Sequence, residues 1–68
     1  MKISLKMDDK NFISEIDYVV INQVEDHEFE MMAKIKDAYC YWIPIASANS
    51  VEELKIWWDM VGSPAQIV

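Results

Sequence analysis

Residues 50–62 read SVEELKIWWDMVG, and this stretch decides the fold because it carries both ends of a helix. Ser50 and Glu53 form the capping-box pattern that begins helices. Gly62 suits the left-handed conformation that ends them, and Pro64 prevents continuation. Between these ends, apolar residues recur at helical spacing: Val51, Leu54, Trp57, Trp58 and Val61. The stretch therefore predicts an amphipathic α-helix from Val51 to Val61.

The residues before this helix alternate as β-strands do. Between Glu28 and Lys36, apolar residues occupy positions 29, 31, 33 and 35, and Met32 alone breaks the polar face. A tight turn at Asp37-Ala38 and an aromatic, β-branched run over 39–45 complete a predicted hairpin. Because Pro44 cannot donate to a sheet ladder, its strand is expected to lie at an edge or to be bulged there.

The first third contains one clear strand and one ambiguous segment. Lys2 to Met7 alternates as an amphipathic edge strand does. Phe12 to Val24 fits either a helix with one apolar stripe or a strand. The strand is favoured because the segment lacks Ala and Leu and contains the β-prone run at 18–21. At the other end, residues 65–68 either return as a short final strand or fray.

These patterns predict one small acidic α+β domain over residues 1–68. Its antiparallel sheet has three to four strands in a meander, and the C-terminal α-helix packs on one face. A chain of 68 residues has room for a single core, since folding at this length buries only about 60% of the surface. A hydrophobic fraction of 53% excludes intrinsic disorder.

Charge limits the class of partner. Six lysines, no arginine and twelve acids give a net charge of −6. Direct binding of DNA, RNA or anionic lipid is therefore not expected, because phosphate recognition needs a basic face. An acidic surface suits docking on a basic surface of another protein.

The sequence also bears on location. No apolar run reaches the roughly 18–20 residues of a membrane span. Charges at Lys6, Asp8 and Asp9 interrupt the stretch where a signal peptide would be apolar. Cys40 has no second cysteine with which to pair. We expect a cytoplasmic protein in a reducing compartment, with no membrane contact.

No constellation of catalytic or metal-ligating residues emerges. The acidic run from Glu25 to Glu30 includes His27, but in an extended segment neighbouring side chains point to opposite faces and cannot converge on a metal. Cys40 and His27 are not expected to meet as nucleophile and base. A single glycine leaves no glycine-rich phosphate loop. We expect no enzyme activity, no metal and no cofactor.

Five residues are predicted to contact a partner instead. Asp26, Glu28 and Glu30 would line one face of an extended segment at intervals of about 7 Å, similar to successive DNA phosphates. Such a row either imitates nucleic acid or only keeps the protein soluble. Trp42 and Trp57 belong to an apolar surplus that one helix on a small sheet cannot easily bury. Ile56 and Met60 belong to the same surplus, and exposed aromatic and methionine side chains are typical interface anchors.

The capped helix from Ser50 to Trp58, in a small acidic α+β chain, resembles helices of small phage-encoded inhibitors such as anti-CRISPR proteins. The resemblance is confined to this segment and assigns no functional residue. With the charge pattern, it implies a non-enzymatic protein-binding module. We expect a phage or mobile-element inhibitor that docks on a basic or nucleic-acid-binding surface of a host protein. The alternatives are a self-associating homodimer and an antitoxin-type partner protein.

Overall fold

The computed structural model describes residues 1–4, 10–36, 42–62 and 65–68. Within these ranges the elements are β1 (Lys2–Ile3), α1 (Lys10–Ser14), β2 (Ile16–Glu25), β3 (Glu28–Ile35), β4 (Trp42–Ala48), α2 (Val51–Val61) and β5 (Gln66–Ile67). The predicted turn at Asp37-Ala38, Cys40 and Pro64 lie outside the described residues.

The strands form one five-stranded sheet of order β1-β4-β3-β2-β5. β2, β3 and β4 are an antiparallel meander, and β1 joins β4 antiparallel. The predicted α+β fold with a C-terminal helix on one face is confirmed, and of the two alternatives for residues 65–68 the short strand is observed. The sheet is mixed rather than purely antiparallel, because β5 returns after α2 and pairs parallel with β2.

Both predicted ends of α2 are confirmed by their caps. The Oγ of Ser50 accepts a hydrogen bond from the backbone N–H of Glu53 at 3.3 Å. Gly62 adopts φ 74° and ψ 24°, and its N–H donates to the carbonyl of Asp59 at 3.1 Å. These bonds satisfy backbone groups that a helix leaves unpaired at its termini, so sequence-local chemistry sets the length of α2.

The core lies between α2 and one face of the sheet. The helix buries Leu54, Trp57 and Trp58. The indole Nε1 of Trp58 donates to the carbonyl of Ala65 at 3.0 Å. This bond fixes the chain just before β5. The sheet contributes the remaining buried side chains, which are Ile16, Val19, Met31, Ala33, Ile45, Ala46 and Ala48.

β4 contains a bulge that follows from its proline. The pairing shifts by one residue between Met31 and Met32 of β3, opposite the segment from Pro44 to Ala46. The bulge lets Ile45 and Ala46 both turn towards the core, although strand residues normally alternate. Of the two predicted placements for Pro44, the bulge is observed, and β4 lies between β1 and β3 in the sheet.

The ambiguous segment 12–24 divides into two elements. It is β-strand from Ile16 onward, as the β-prone run predicts. Phe12 and Ile13 lie instead in the short helix α1 and pack against the core. The predicted first strand is observed only over Lys2–Ile3, beside β4 rather than β2. Its expected continuation to Met7 extends into residues outside the described ranges.

The cap at Gly62 gives a direct test of the helix end. No atom lies within 4 Å of the position where a Cβ would be added, so the cost of Gly62→Ala is conformational strain alone. We expect Gly62→Ala to lower the free energy of unfolding by about 1–2 kcal/mol. Gly62→Asn is the matched control and should cost less, since Asn tolerates the left-handed region. Urea denaturation measures both, and equal stability of the Ala variant and wild type would contradict this cap.

Candidate functional site

The sheet face opposite α2 carries no helix within the described ranges. Directly paired residues of antiparallel strands point to the same side of a sheet. On this face, each set of paired residues from β2, β3 and β4 therefore forms a row. The rows are Asn22–Glu30–Ser47, Val20–Met32–Pro44 and Tyr18–Lys34–Trp42. We call this set of residues the open face.

Two of these rows make the open face apolar at its centre. Val20, Asn22, Met32 and Trp42 line a shallow hollow of about 470 Å³. The rings of Tyr18 and Trp42 meet edge to face, with centroids 5.5 Å apart and planes at 79°. Trp42 is nevertheless 37% exposed, so its indole retains surface that a partner can cover.

In the same row, Lys34 of β3 pairs with Tyr18 on one side and with Trp42 on the other. Its Nζ donates to the backbone carbonyl of Ile35 at 2.9 Å, in partly buried surroundings. The hydrogen bond holds the amine against the sheet. Lys34 thus adds one positive charge to the aromatic row.

The other end of the sheet is acidic. β2 and β3 are joined by a turn at Asp26-His27, and the side chains of Glu25, Asp26 and Glu28 are exposed there. No salt bridge neutralises these three acids within the described part of the chain. We call them the acidic turn. Glu30, half-buried, continues the negative charge from this turn onto the open face.

The turn corrects one geometrical expectation. The predicted row of Asp26, Glu28 and Glu30 required all three to lie on one extended strand. Glu25 pairs directly with Glu28, so Asp26 occupies the turn between them and only Glu28 and Glu30 share a strand face. The acids therefore form a cluster around the hairpin end rather than a straight row.

A hollow of about 760 Å³ opens at this end, between the turn, the start of β1 and the end of β4. Lys2 and Asn49 line it together with Glu25, Asp26 and Glu28. Among the described residues, no three His, Cys, Asp or Glu side chains come close enough together to hold a metal ion.

The two predicted tryptophan anchors lie on different sides of the sheet. Trp57 is only 5% exposed and packs beside Trp58 in the core, with ring centroids 5.7 Å apart. The apolar surplus of α2 is carried by Ile56 and Met60, which are 59% and 72% exposed. Met1 lies near them, and we call these three residues the helix-side patch.

Several open-face residues were missing from the predicted site. The sequence predicts no surface role for Val20 and Pro44, whereas Met32 belongs with Trp42 to the predicted apolar surplus. The sequence did contain a signal, because Met32 breaks the polar alternation of its strand and the run over 41–45 is apolar on both faces. These three residues meet in one row because β2, β3 and β4 pair in a particular register. The alternation of residues within one segment does not define that register.

Comparison with protein-family models, with curated proteins and with solved structures finds no match to this chain. Among the described residues, no helix is both long and apolar enough to cross a bilayer. The open face and the acidic turn are therefore the features from which we infer function.

Neighbouring residues of α2 test the division between core and surface. We expect Trp57→Ala to lower the free energy of unfolding by about 3–5 kcal/mol, enough to unfold so small a domain. Ile56→Ala, one residue away in the same helix, should change it by about 0.5 kcal/mol or less. Thermal and urea denaturation followed by circular dichroism measure both. Similar small losses for the two variants would place Trp57 at the surface.

Proposed function

We propose that this chain is a non-enzymatic protein-binding module that docks through its open face on a basic surface of another protein. The observation that carries the proposal is the arrangement of that face. The apolar and aromatic centre spans β2, β3 and β4, and the acidic turn joins two of these strands, β2 and β3. This combination of a desolvated anchor and a charged margin is typical of protein interfaces.

The apolar centre would supply the affinity. Trp42 is fixed by its contact with Tyr18, so little side-chain entropy is lost when a partner covers it. Met32 is flanked by the smaller Val20 and Pro44 and offers a side chain that adapts to a partner's shape. Tryptophan and methionine are both enriched in the buried centres of interfaces.

The acidic turn would supply steering and selectivity. Glu25, Asp26 and Glu28 project from one end of a chain whose net charge is −6. A partner with clustered Lys and Arg would be attracted at long range, and acidic surfaces would be repelled. Proteins that bind nucleic acids present such basic surfaces. We therefore propose that the module inhibits a host protein by occupying its nucleic-acid-binding surface, as a phage or mobile-element product would.

Charge reversal tests this proposal. The tagged protein would first be used to recover its partner from a nuclease-treated lysate of the organism that encodes it, with identification by mass spectrometry. Asp26→Lys combined with Glu28→Lys should then slow association by about tenfold or more at low salt and flatten its dependence on salt. Surface plasmon resonance over a salt series measures both effects, and competing DNA should displace the wild-type protein.

The matched control replaces two exposed acids elsewhere, Glu15→Lys with Asp59→Lys. It shifts the net charge by the same amount but leaves the acidic turn intact. Its association rate should lie much closer to that of wild type. Equal slowing by both double variants would assign the effect to net charge, and unchanged rates for both would remove the acidic turn from the interface.

The helix-side patch favours a second candidate, a self-associating protein. Ile56, Met60 and Met1 are exposed apolar side chains that line one hollow beside α2. A homodimer closed by this patch would persist on dilution in light scattering, and Met60→Glu would dissociate it. A monomer at micromolar concentration would discard this candidate and leave the binding module.

A further inference from the structure

The outer edge of β2 is only partly covered. β5 pairs with Tyr18 and Val19, and the N–H of Val68 donates to the carbonyl of Val19 at 2.8 Å. The rest of the edge, residues 20–25, has no strand beside it among the described residues. Since backbone groups alternate in direction along a strand, the N–H and C=O groups of Ile21 and Gln23 point outward like those of Val19.

This edge lacks the usual protection against strand pairing. Natural edge strands are commonly blocked by a charged side chain, a proline or a covering element. Residues 18–24 read YVVINQV, with no charge, no proline and no glycine. The segment is also rich in β-branched residues, which favours pairing with another strand. The bulge between Gln23 and Glu25 interrupts the edge only at its far end.

A groove runs beside the same edge. It has a volume of about 430 Å³, and its apolar lining includes Ile21, Phe29, Val51 and Ile67. Lys55 and Gln23 also line it. A strand placed next to β2 would direct alternate side chains towards this groove, because strand side chains alternate between the two faces of a sheet. The edge thus offers backbone partners and an apolar recess together.

We propose that the uncovered edge of β2 binds an extended segment of a partner protein as an added strand. The segment would place apolar side chains in the groove and a basic residue beside Glu25 and Asp26. Backbone hydrogen bonds to Ile21 and Gln23 would hold it, and the groove would select its side chains. The inference rests on the proposed function in taking the ligand to be a protein, but it assigns a surface other than the open face.

Charge and area favour a partner segment over a second copy. Each copy has a net charge of −6, and pairing two β2 edges would bring two acidic turns onto one small assembly. The uncovered edge spans residues 20–25, too short to bury the roughly 1,200–2,000 Å² of a stable interface by itself. A basic peptide, in contrast, gains attraction from the acids at the end of the edge.

A synthetic peptide tests the inference without the natural partner. The probe is acetyl-Thr-Val-Thr-Val-Thr-Val-Lys-Lys-amide, titrated into the ¹⁵N-labelled protein and followed by NMR. Chemical-shift changes should concentrate at residues 20–25 and at Lys55 and Ile67. Amide exchange of Ile21 and Gln23 should slow by about tenfold or more at saturation. The amides of Val20 and Asn22, which face β3, should change little.

Backbone methylation of the probe provides the matched control. One N-methylated peptide carries the methyl groups on its valines and the other on its threonines, so each removes the donors on one side of the added strand. One version should lose about tenfold or more in affinity, and the other less than about threefold. Equal losses would contradict strand addition, because a peptide bound by its side chains alone has no preferred edge.

Other outcomes also overturn the inference. The absence of shift changes at millimolar peptide would do so, as would changes confined to Tyr18, Met32 and Trp42. Concentration-dependent shifts of Ile21 and Gln23 without peptide would assign the edge to a second copy. Met32→Asp, which alters the open face, should leave peptide binding unchanged. If charge reversal leaves association unchanged but the peptide still binds, docking through the open face is excluded and strand addition stands. If charge reversal slows association but the peptide does not bind, strand addition alone is excluded.

Discussion

Packing of α2 on one side of the sheet is the interaction on which the rest of the structure depends. Leu54, Trp57 and Trp58 cover the inner faces of the central strands, and burial of such side chains contributes about 1.5–3 kcal/mol each. A domain of this size has no second long helix among its described residues with which to cover the other face. The sheet is thus protected on one side, and its open face presents apolar residues that a partner is proposed to bury.

The small size of the domain also affects the edges of the sheet and the distribution of charged residues. β1 and β5 are two-residue strands, so each covers only a short length of its neighbour. Glu25, Asp26 and Glu28 are exposed together at the hairpin end, whereas Lys34 is the one charged residue in the two rows that contain Met32 and Trp42. The open face therefore presents apolar and aromatic side chains, the hairpin end presents negative charge, and the outer edge of β2 presents backbone groups beside an apolar groove.

The parts of this fold that depend on local chemistry were predictable from sequence. Ser50 and Gly62 define α2, and the alternation around Met31 defines β3. The position of β1 beside β4 and the parallel pairing of β5 were not, because these contacts join distant segments. The burial of Trp57 was undecided in sequence because Trp57 and Trp58 are adjacent on α2 and the width of the sheet beneath them was unknown. The open face was partly visible through Trp42 and Met32, but its rows required the register.

Site-specific photocrosslinking shows directly which surface of this protein contacts a partner. Benzoylphenylalanine would replace Trp42 on the open face or, in a second protein, Asp59 on the outer side of α2. Both would be irradiated in a lysate of the organism that encodes the chain. Position 42 should capture one basic protein, and position 59 should not. Capture of the same protein from position 59 alone would place the interface on the helix and contradict docking through the open face.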